Sequence, residues 1–258
     1  YELSVFSPFV CAGSEIVMDE LDEMIAFWDD FADDYDSIQE ESATTLLDDL
    51  NTFVKKQPLF PVSSFLDLAG GTGKYIEVFL PLVERYTLVD FSPRMLSIAR
   101  KKAKHSNVTF IEQTQASFLA QTRDCSFDVV FSAMNPALDT PKQLLELLRI
   151  AKKAVYLLRL VADEDVLFSP LEEKPFNLMH QYKKWLHGMP FQVVEFVYLL
   201  EETIEKSFFY EYFSEEIPYA TLEKIAATYF KTDSTFLNPR QVIFELLIIP
   251  VSQEEVAR

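Results

Sequence analysis

The sequence predicts an α/β protein built on a doubly wound, mostly parallel sheet, and three observations predict it. From residue 64 onward short apolar runs alternate with helical patterns, the rhythm of strand-helix-strand crossovers. Three of only five glycines, Gly70, Gly71 and Gly73, fall within four positions directly after the first of those runs. An acid, Asp90, closes the second run just ahead of a serine and a proline that suit a helix start.

The elements follow in order. From Met18 to about Val54 the pattern is helical and acidic, with Leu21, Met24, Ile25, Trp28, Phe31 and Tyr35 at spacings of three and four and Asp and Glu between them. Gln57-Pro58 and Pro61 break this segment. Strands are then expected at 64–68, 86–90, 107–112, 127–132 and 154–161, with helices at 75–83 (interrupted by Pro81), 93–104 and 141–151. Residues 162–190 interrupt the rhythm with prolines and the polar, aromatic stretch NLMHQYKKWLHGMP. Two strands, 191–200 and 206–213, read as joined by the turn EETIE, and a helix at 219–230 precedes strands near 232–236 and 241–250. The expected organisation is an N-terminal helical segment or lid (1–57), a ligand-binding domain (58–161 and 214–258) and an inserted subdomain on the substrate side (162–213).

Bulk properties narrow the function. With 258 residues, 49% hydrophobic and 14% aromatic, the chain has the composition of a folded globular protein. A formal charge of −18 opposes approach to phosphate backbones and anionic lipid, so nucleic acid and membrane are disfavoured as partners. Cys11 and Cys125 lack any CxxC or Cys/His spacing, which indicates neither a disulfide framework nor a metal site and fits a reduced, cytoplasmic setting. The opening YELSVFSPFVCAGSE lacks the basic start of a signal peptide, and no apolar run reaches the roughly 18 residues of a membrane-spanning helix. Nothing in the sequence sets an oligomeric state.

The turn FLDLAGGTGKY decides between ligand classes by spacing. A phosphate-binding P-loop requires G-x-x-x-x-G-K-[ST], but Leu68 stands at its first glycine and Tyr75 at its hydroxyl. A dinucleotide fingerprint requires G-x-G-x-x-G, and Ile76 replaces the third glycine after Gly71 and Gly73. What remains is an acid followed by a close-packed glycine turn. The stretch resembles the first motif of the class I S-adenosylmethionine-dependent methyltransferases, with Asp67, Ala69, Gly71 and Gly73 on the pattern and alanine in place of the first glycine. The segment LVDFSPRMLSIARKKA strengthens the resemblance, since Asp90 stands 17 positions after Gly73.

The resemblance implies a seven-stranded sheet whose last strand is antiparallel, S-adenosyl-L-methionine as cofactor, and methyl transfer. It implies that Gly70, Gly71 and Gly73 form the cofactor turn, that Asp90 accepts the ribose hydroxyls, and that Phe91 and Met95 flank adenine. Thr114 and Gln115 stand where many relatives carry a third-motif acid, and Ser132 and Met134 follow the fourth strand at a cofactor-facing position. Tyr35 would lie near the methionine end. Asn135, Tyr182 and His187 are candidates for the acceptor side, although no motif supports a catalytic role for His187 and an ordinary packing or surface role is the simpler account of it. No residue is identified as a catalytic base. A small molecule is the expected acceptor, and the acidity and aromatic insertion favour a neutral or cationic one. A non-catalytic S-adenosylmethionine-binding sensor or partner protein, or an RNA or protein methyltransferase, are the alternatives.

Overall fold

The computed structural model describes residues 18–40, 43–172 and 176–251. The opening apolar stretch and Cys11 lie outside the described residues. The acidic segment forms α1 (Met18–Glu40) and α2 (Leu46–Lys55). β1 (Val62–Leu68) leads through the glycine turn to α3 (Ile76–Phe79), which tightens into a 3₁₀ turn at Leu80–Leu82 where Pro81 ends regular helix. The alternation continues with β2 (Val83–Asp90), α4 (Pro93–Lys102), β3 (Val108–Glu112), α5 (Gln115–Gln121), β4 (Phe127–Ala133), α6 (Pro141–Ile150) and β5 (Ala151–Asp165). It closes with α7 (Leu178–Trp185), β6 (Gln192–Glu205), α8 (Lys206–Tyr212), α9 (Tyr219–Tyr229) and β7 (Thr235–Pro250).

The strands form one seven-stranded sheet in the order β3-β2-β1-β4-β5-β7-β6, six parallel and the last in sequence antiparallel, with helices on both faces. β1 pairs in parallel with β2 on one side, Leu68 opposite Val89, and with β4 on the other, Asp67 opposite Phe131. The winding direction therefore reverses between β1 and β4, and the carboxyl ends of those strands are where such sheets leave a crevice. β1 is buried on both faces from Ser64 to Leu68, as a central parallel strand must be. Its register is locked at the amino end: the Asp128 carboxylate accepts the backbone N–H groups of Ser63 and Ser64 at 2.9 and 3.0 Å, and Ser64 Oγ accepts the Asp128 N–H at 2.9 Å. Phe65, Phe79 and Phe131 stack under the strand with centroids 4.6 and 4.8 Å from Phe79, and each buried ring contributes on the order of 2 kcal/mol.

The chain divides into two compact units, one of residues 1–159, 178–196 and 245–258, the other of 160–177 and 197–244. The second has its own aromatic core of Phe168, Phe209, Phe213 and Phe230, and a two-pronged pair in which Arg240 donates to both Asp163 oxygens at 2.6 Å. Here the structure departs from the sequence expectation. EETIE is no turn: it completes a single strand whose Ile204 is buried, and KSFFYEY is helix, not strand. Phe209 and Phe213, four apart and both fully buried, give that segment a helical period that outweighs the strand preference of its aromatics. The two strands expected near the C-terminus are likewise one. Asn238 turns inward at its middle, where its side chain accepts the Leu167 N–H at 3.2 Å.

Candidate functional site

The glycine turn leaves β1 through a backbone that only small residues tolerate. Ala69 is held at φ +58°, a left-handed conformation that costs a residue with a Cβ about 1–2 kcal/mol. The three glycines then serve different purposes. A Cβ on Gly70 would stand 2.5 Å from Leu88 Cγ and 2.9 Å from Asp67 Oδ2, so this glycine lets the turn lie on β2. A Cβ on Gly73, at φ +76°, would stand 2.6 Å from Ile76 Cδ1 and 3.2 Å from Ala99 Cβ, so this one lets the turn approach α4. Gly71, at φ +54°, differs: the nearest atoms to its absent Cβ are Tyr35 Cε1 at 3.9 Å and Met95 Sδ at 4.0 Å. A methyl there would meet only a tyrosine and a methionine, at ordinary van der Waals distance.

Two carboxylates flank the turn. Asp90 accepts the Gly71 N–H at 2.9 Å and the Ser92 N–H at 3.0 Å. Burial pushes its pKa up, while the N–H groups of Ser92, Gly71 and Phe91 hold it back. A carboxylate offers about four acceptor sites, so capacity for a ligand hydroxyl remains. Asp67 is fully buried. Tyr86 donates to its Oδ2 at 2.6 Å, whereas Oδ1 has no hydrogen-bond partner among the described residues. Burial, opposed by the Tyr86 hydrogen bond and reinforced by Asp90, pushes the Asp67 carboxyl up to about 7. Tyr75, packed edge-on against Phe131, is raised by its burial and then by Tyr35 and Asp67, which brings those three side chains into one electrostatic neighbourhood.

Helix α1 covers this turn from the side of α4. Ser92 caps α4, its hydroxyl accepting the Met95 N–H at 3.1 Å, and Pro93 takes the first helical position, as the sequence indicates. Asp29 of α1 adds a second cap, accepting from the Ser92 hydroxyl and from the Arg94 N–H at 3.0 Å. Asp33 pairs with Arg94 and Asp36 with Lys102, so the acids at 29, 33 and 36 form one row facing α4. Ala32 is buried against Met95 and Ile98, with Trp28 and Tyr35 packed on them.

Beyond β4 the backbone bends again. Met134 sits at φ +51°, and Asn135 is buried. The Asn135 amide donates to Gln115 Oε1 at 2.6 Å and Ser132 Oγ at 3.0 Å, and its oxygen accepts the Ala137 N–H at 3.0 Å. Gln115 Nε2 donates to the Ala137 carbonyl, and Ser132 Oγ donates to the Leu68 carbonyl, tying the loop to the end of β1.

The residues singled out in the sequence thus separate into groups. Asp67, Ala69, Gly70, Gly71, Gly73 and Asp90 meet at the carboxyl ends of β1 and β2, and Tyr35 and Met95 join them from α1 and α4. Phe91 is half-buried beside Asp90. Thr114 caps α5 through the Ser117 N–H, and both ends of the Gln115 amide are engaged within the loop network. Tyr182 is buried, its hydroxyl donating to the Leu138 carbonyl at 2.7 Å, while His187 is exposed beyond the end of α7. Sequence reasoning missed Tyr75, Tyr86, Asp29 and Arg159. Arg159 alone left a signal, a single charge within the apolar run AVYLLRLVA.

Residues 65–155 match the family model described as a methyltransferase domain. Among solved structures, the fold is similar to a SAM-dependent methyltransferase of Leishmania major (TM-score 0.51, 14% identity, 90% of this chain and 87% of that one). It is also similar to the magnesium protoporphyrin IX methyltransferase of Synechocystis PCC 6803, solved with bound SAM (TM-score 0.50, 14% identity, 93% and 100%). A third is the YcgJ protein of Bacillus subtilis (TM-score 0.50, 15% identity, 79% and 98%). No curated protein matches the sequence. Residues 65–155 thus match a methyltransferase domain, and the sheet that carries them has the fold of these methyltransferases.

Proposed function

We propose that the chain transfers a methyl group from S-adenosylmethionine to a small-molecule acceptor, with the cofactor lying along Gly71 between Asp67 and Asp90. The observation that carries this reading is the buried Asp67 Oδ1, which has no hydrogen-bond partner among the described residues, at the base of a glycine turn bordered by Asp90, Tyr35 and Met95. A buried carboxylate oxygen without a donor is costly, and a ligand ammonium removes that cost. The residues present therefore fit the cofactor: Asp67 suits the ammonium of its methionine part, and Asp90 suits its ribose hydroxyls. Phe91 offers an apolar face for adenine, while Thr114 and Gln115 hold the loop that borders it.

When bound, the cofactor supplies an electrophilic methyl group on a sulfonium, so the chain has to bind, orient and exclude water. Tyr35 and Met95 border Gly71, and α1 shields it. Ser132 and Asn135 fix the loop after β4 that would present the acceptor. Among the described residues no helix is long and apolar enough to cross a membrane, and the cysteine usage supports a reduced, cytoplasmic setting. Release of S-adenosylhomocysteine from the purified protein with a panel of small acceptors tests the reading. Cofactor binding with no release across the panel would leave a binding protein, and RNA as the best acceptor at physiological salt would overturn the small-molecule assignment.

A further inference from the structure

Arg159 is placed for a task that the fold does not use. It continues β5 one residue past the last pairing with β4, Ala133 opposite Leu158, and so stands level with the bend at Met134. Its Nη1 donates to the Asn135 carbonyl at 2.8 Å and lies 3.4 Å from the Tyr182 hydroxyl, with the guanidinium carbon 6.0 Å from the Tyr182 ring centre. One edge of the group is thereby fixed. Its Nε and Nη2 donate to no acceptor among the described residues, and no carboxylate there lies within ion-pair distance.

The contrast with other arginines is sharp. Arg94 pairs with Asp33, Arg149 with Asp124 and Glu146, and Arg240 with Asp163. In a chain with 41 acids and 23 lysines and arginines, a half-buried guanidinium with no counterion is the exception. Partial burial of a guanidinium without an ion pair is unfavourable; the one acid of the neighbouring loop, Asp139, acts on Tyr182 but engages Gln143 and forms no ion pair with Arg159 among the described residues. A planar two-pronged acceptor completes it, because Nε and Nη2 present parallel N–H bonds at the spacing of two carboxylate oxygens.

We infer that Arg159 is an acceptor-recognition residue, and that the methyl acceptor carries a carboxylate taken by its Nε and Nη2 edge. This rests on the small-molecule methyl-transfer reading above and revises the expectation of a neutral or cationic acceptor. The net charge of −18 limits how much anion the site accepts. Long-range repulsion disfavours polyanions, while one short-range forked pair recovers a single carboxylate.

The test uses benzoate and its neutral isostere benzamide, titrated into the protein with and without saturating S-adenosylhomocysteine. Benzoate is expected to bind at least about tenfold more tightly than benzamide, the size of preference a charged forked pair supports. Arg159→Gln should erase that preference while S-adenosylhomocysteine affinity stays within about twofold, since Arg159 does not touch the glycine turn. Arg159→Lys, which keeps the charge and loses the fork, should retain only part of it. Equal affinity for the two probes in the unmodified protein overturns the inference, as does a preference that survives Arg159→Gln. If Arg159→Gln does not fold, Arg159→Lys decides, and an undiminished preference there overturns the fork. Absence of S-adenosylhomocysteine binding would instead refute the cofactor reading, separately from the benzoate comparison in the unliganded protein.

Discussion

The turn after β1 and the loop after β4 lie side by side at the carboxyl edge of the sheet, and they are built on opposite principles. The first is a backbone device. Ala69, Gly71 and Gly73 all have positive φ, and the polar groups that matter are N–H groups aimed at one carboxylate. The second is a side-chain device, in which Ser132, Asn135, Gln115 and Arg159, drawn from two strands, a loop and a helix, hold one another through an amide-centred network. A backbone device is specified by the few residues that permit it. A side-chain device depends on groups brought together across some 45 positions of sequence, and any of them alone is unremarkable.

Substitutions at the glycines test the first half most severely. Gly73→Ala combines a positive φ with contacts of 2.6 and 3.2 Å, and should lose about 2–4 kcal/mol in denaturant unfolding. Gly71→Ala has the same kind of φ but no close neighbour, and should lose only about 1–2 kcal/mol of stability while impairing cofactor affinity more than Gly73→Ala does per unit of stability lost. If the two variants behaved alike in both measurements, the division of labour between these glycines would be wrong.

Asp90→Ala should weaken S-adenosylmethionine and S-adenosylhomocysteine by roughly 10–100-fold, since removing a charged acceptor costs about 1.5–3 kcal/mol. Calorimetry gives the number directly, and unchanged affinity would remove the ribose assignment. The comparison sharpens with Asn135→Ala, which dismantles the second device and should leave cofactor affinity much closer to normal.

Legibility in the sequence follows the same division. The sheet, the glycine turn, Asp90 and the Ser92-Pro93 helix start are encoded by residues whose backbone or capping demands are local. Gln115 was legible as a position but not as a function, because its partners, Ala137 and Asn135, are some 20 residues away. Arg159 stood out in an apolar run without declaring what it faced. Strand-like aromatics disguised α8, whose identity depends on Phe209 and Phe213 finding a buried partner in Phe168.

Asp67 gives the comparison a pH axis. Its folded pKa, raised to about 7 from an ordinary 3.8, means that the native state binds the extra proton between those values. The contribution to stability is therefore fully present below about pH 4 and is lost as pH rises through 7, at up to about 1.4 kcal/mol per pH unit within the window. Asp67→Asn should flatten that part of the profile in the unliganded protein. Cofactor binding should run the other way, tightening as pH rises through 7, because a cationic ammonium favours the ionised carboxylate. Asp139, in the loop after β4, is also raised by burial and adds a slope of the same sign to stability, so the part of the profile that persists in Asp67→Asn should vanish in Asp139→Asn.

The smallest effects concern α1, whose hold on α4 is slight by construction. Of its ion pairs, Asp36 with Lys102 is partly buried, while Asp33 with Arg94 is solvent-accessible and worth about 0.2–1 kcal/mol, so Asp33→Asn should barely move the unfolding midpoint. The same weakness lets the helix open locally while the sheet stays folded. Tyr35 and Met95 meet beside Gly71, and a ligand lying along that glycine would touch α1 directly. We therefore expect hydrogen exchange across residues 21–38 to slow when S-adenosylhomocysteine is added, and Asp33→Asn to speed it in the unliganded protein by about twofold, in keeping with a surface pair of that strength. Raising salt should mimic Asp33→Asn, since exposed pairs are screened within about 10 Å at 0.1 M. A helix that only packs behaves differently: its protection would be the same with and without the cofactor, and Tyr35→Ala would bind S-adenosylmethionine normally. That pair of results would assign α1 to stability and leave the closing of the site to the loop after β4.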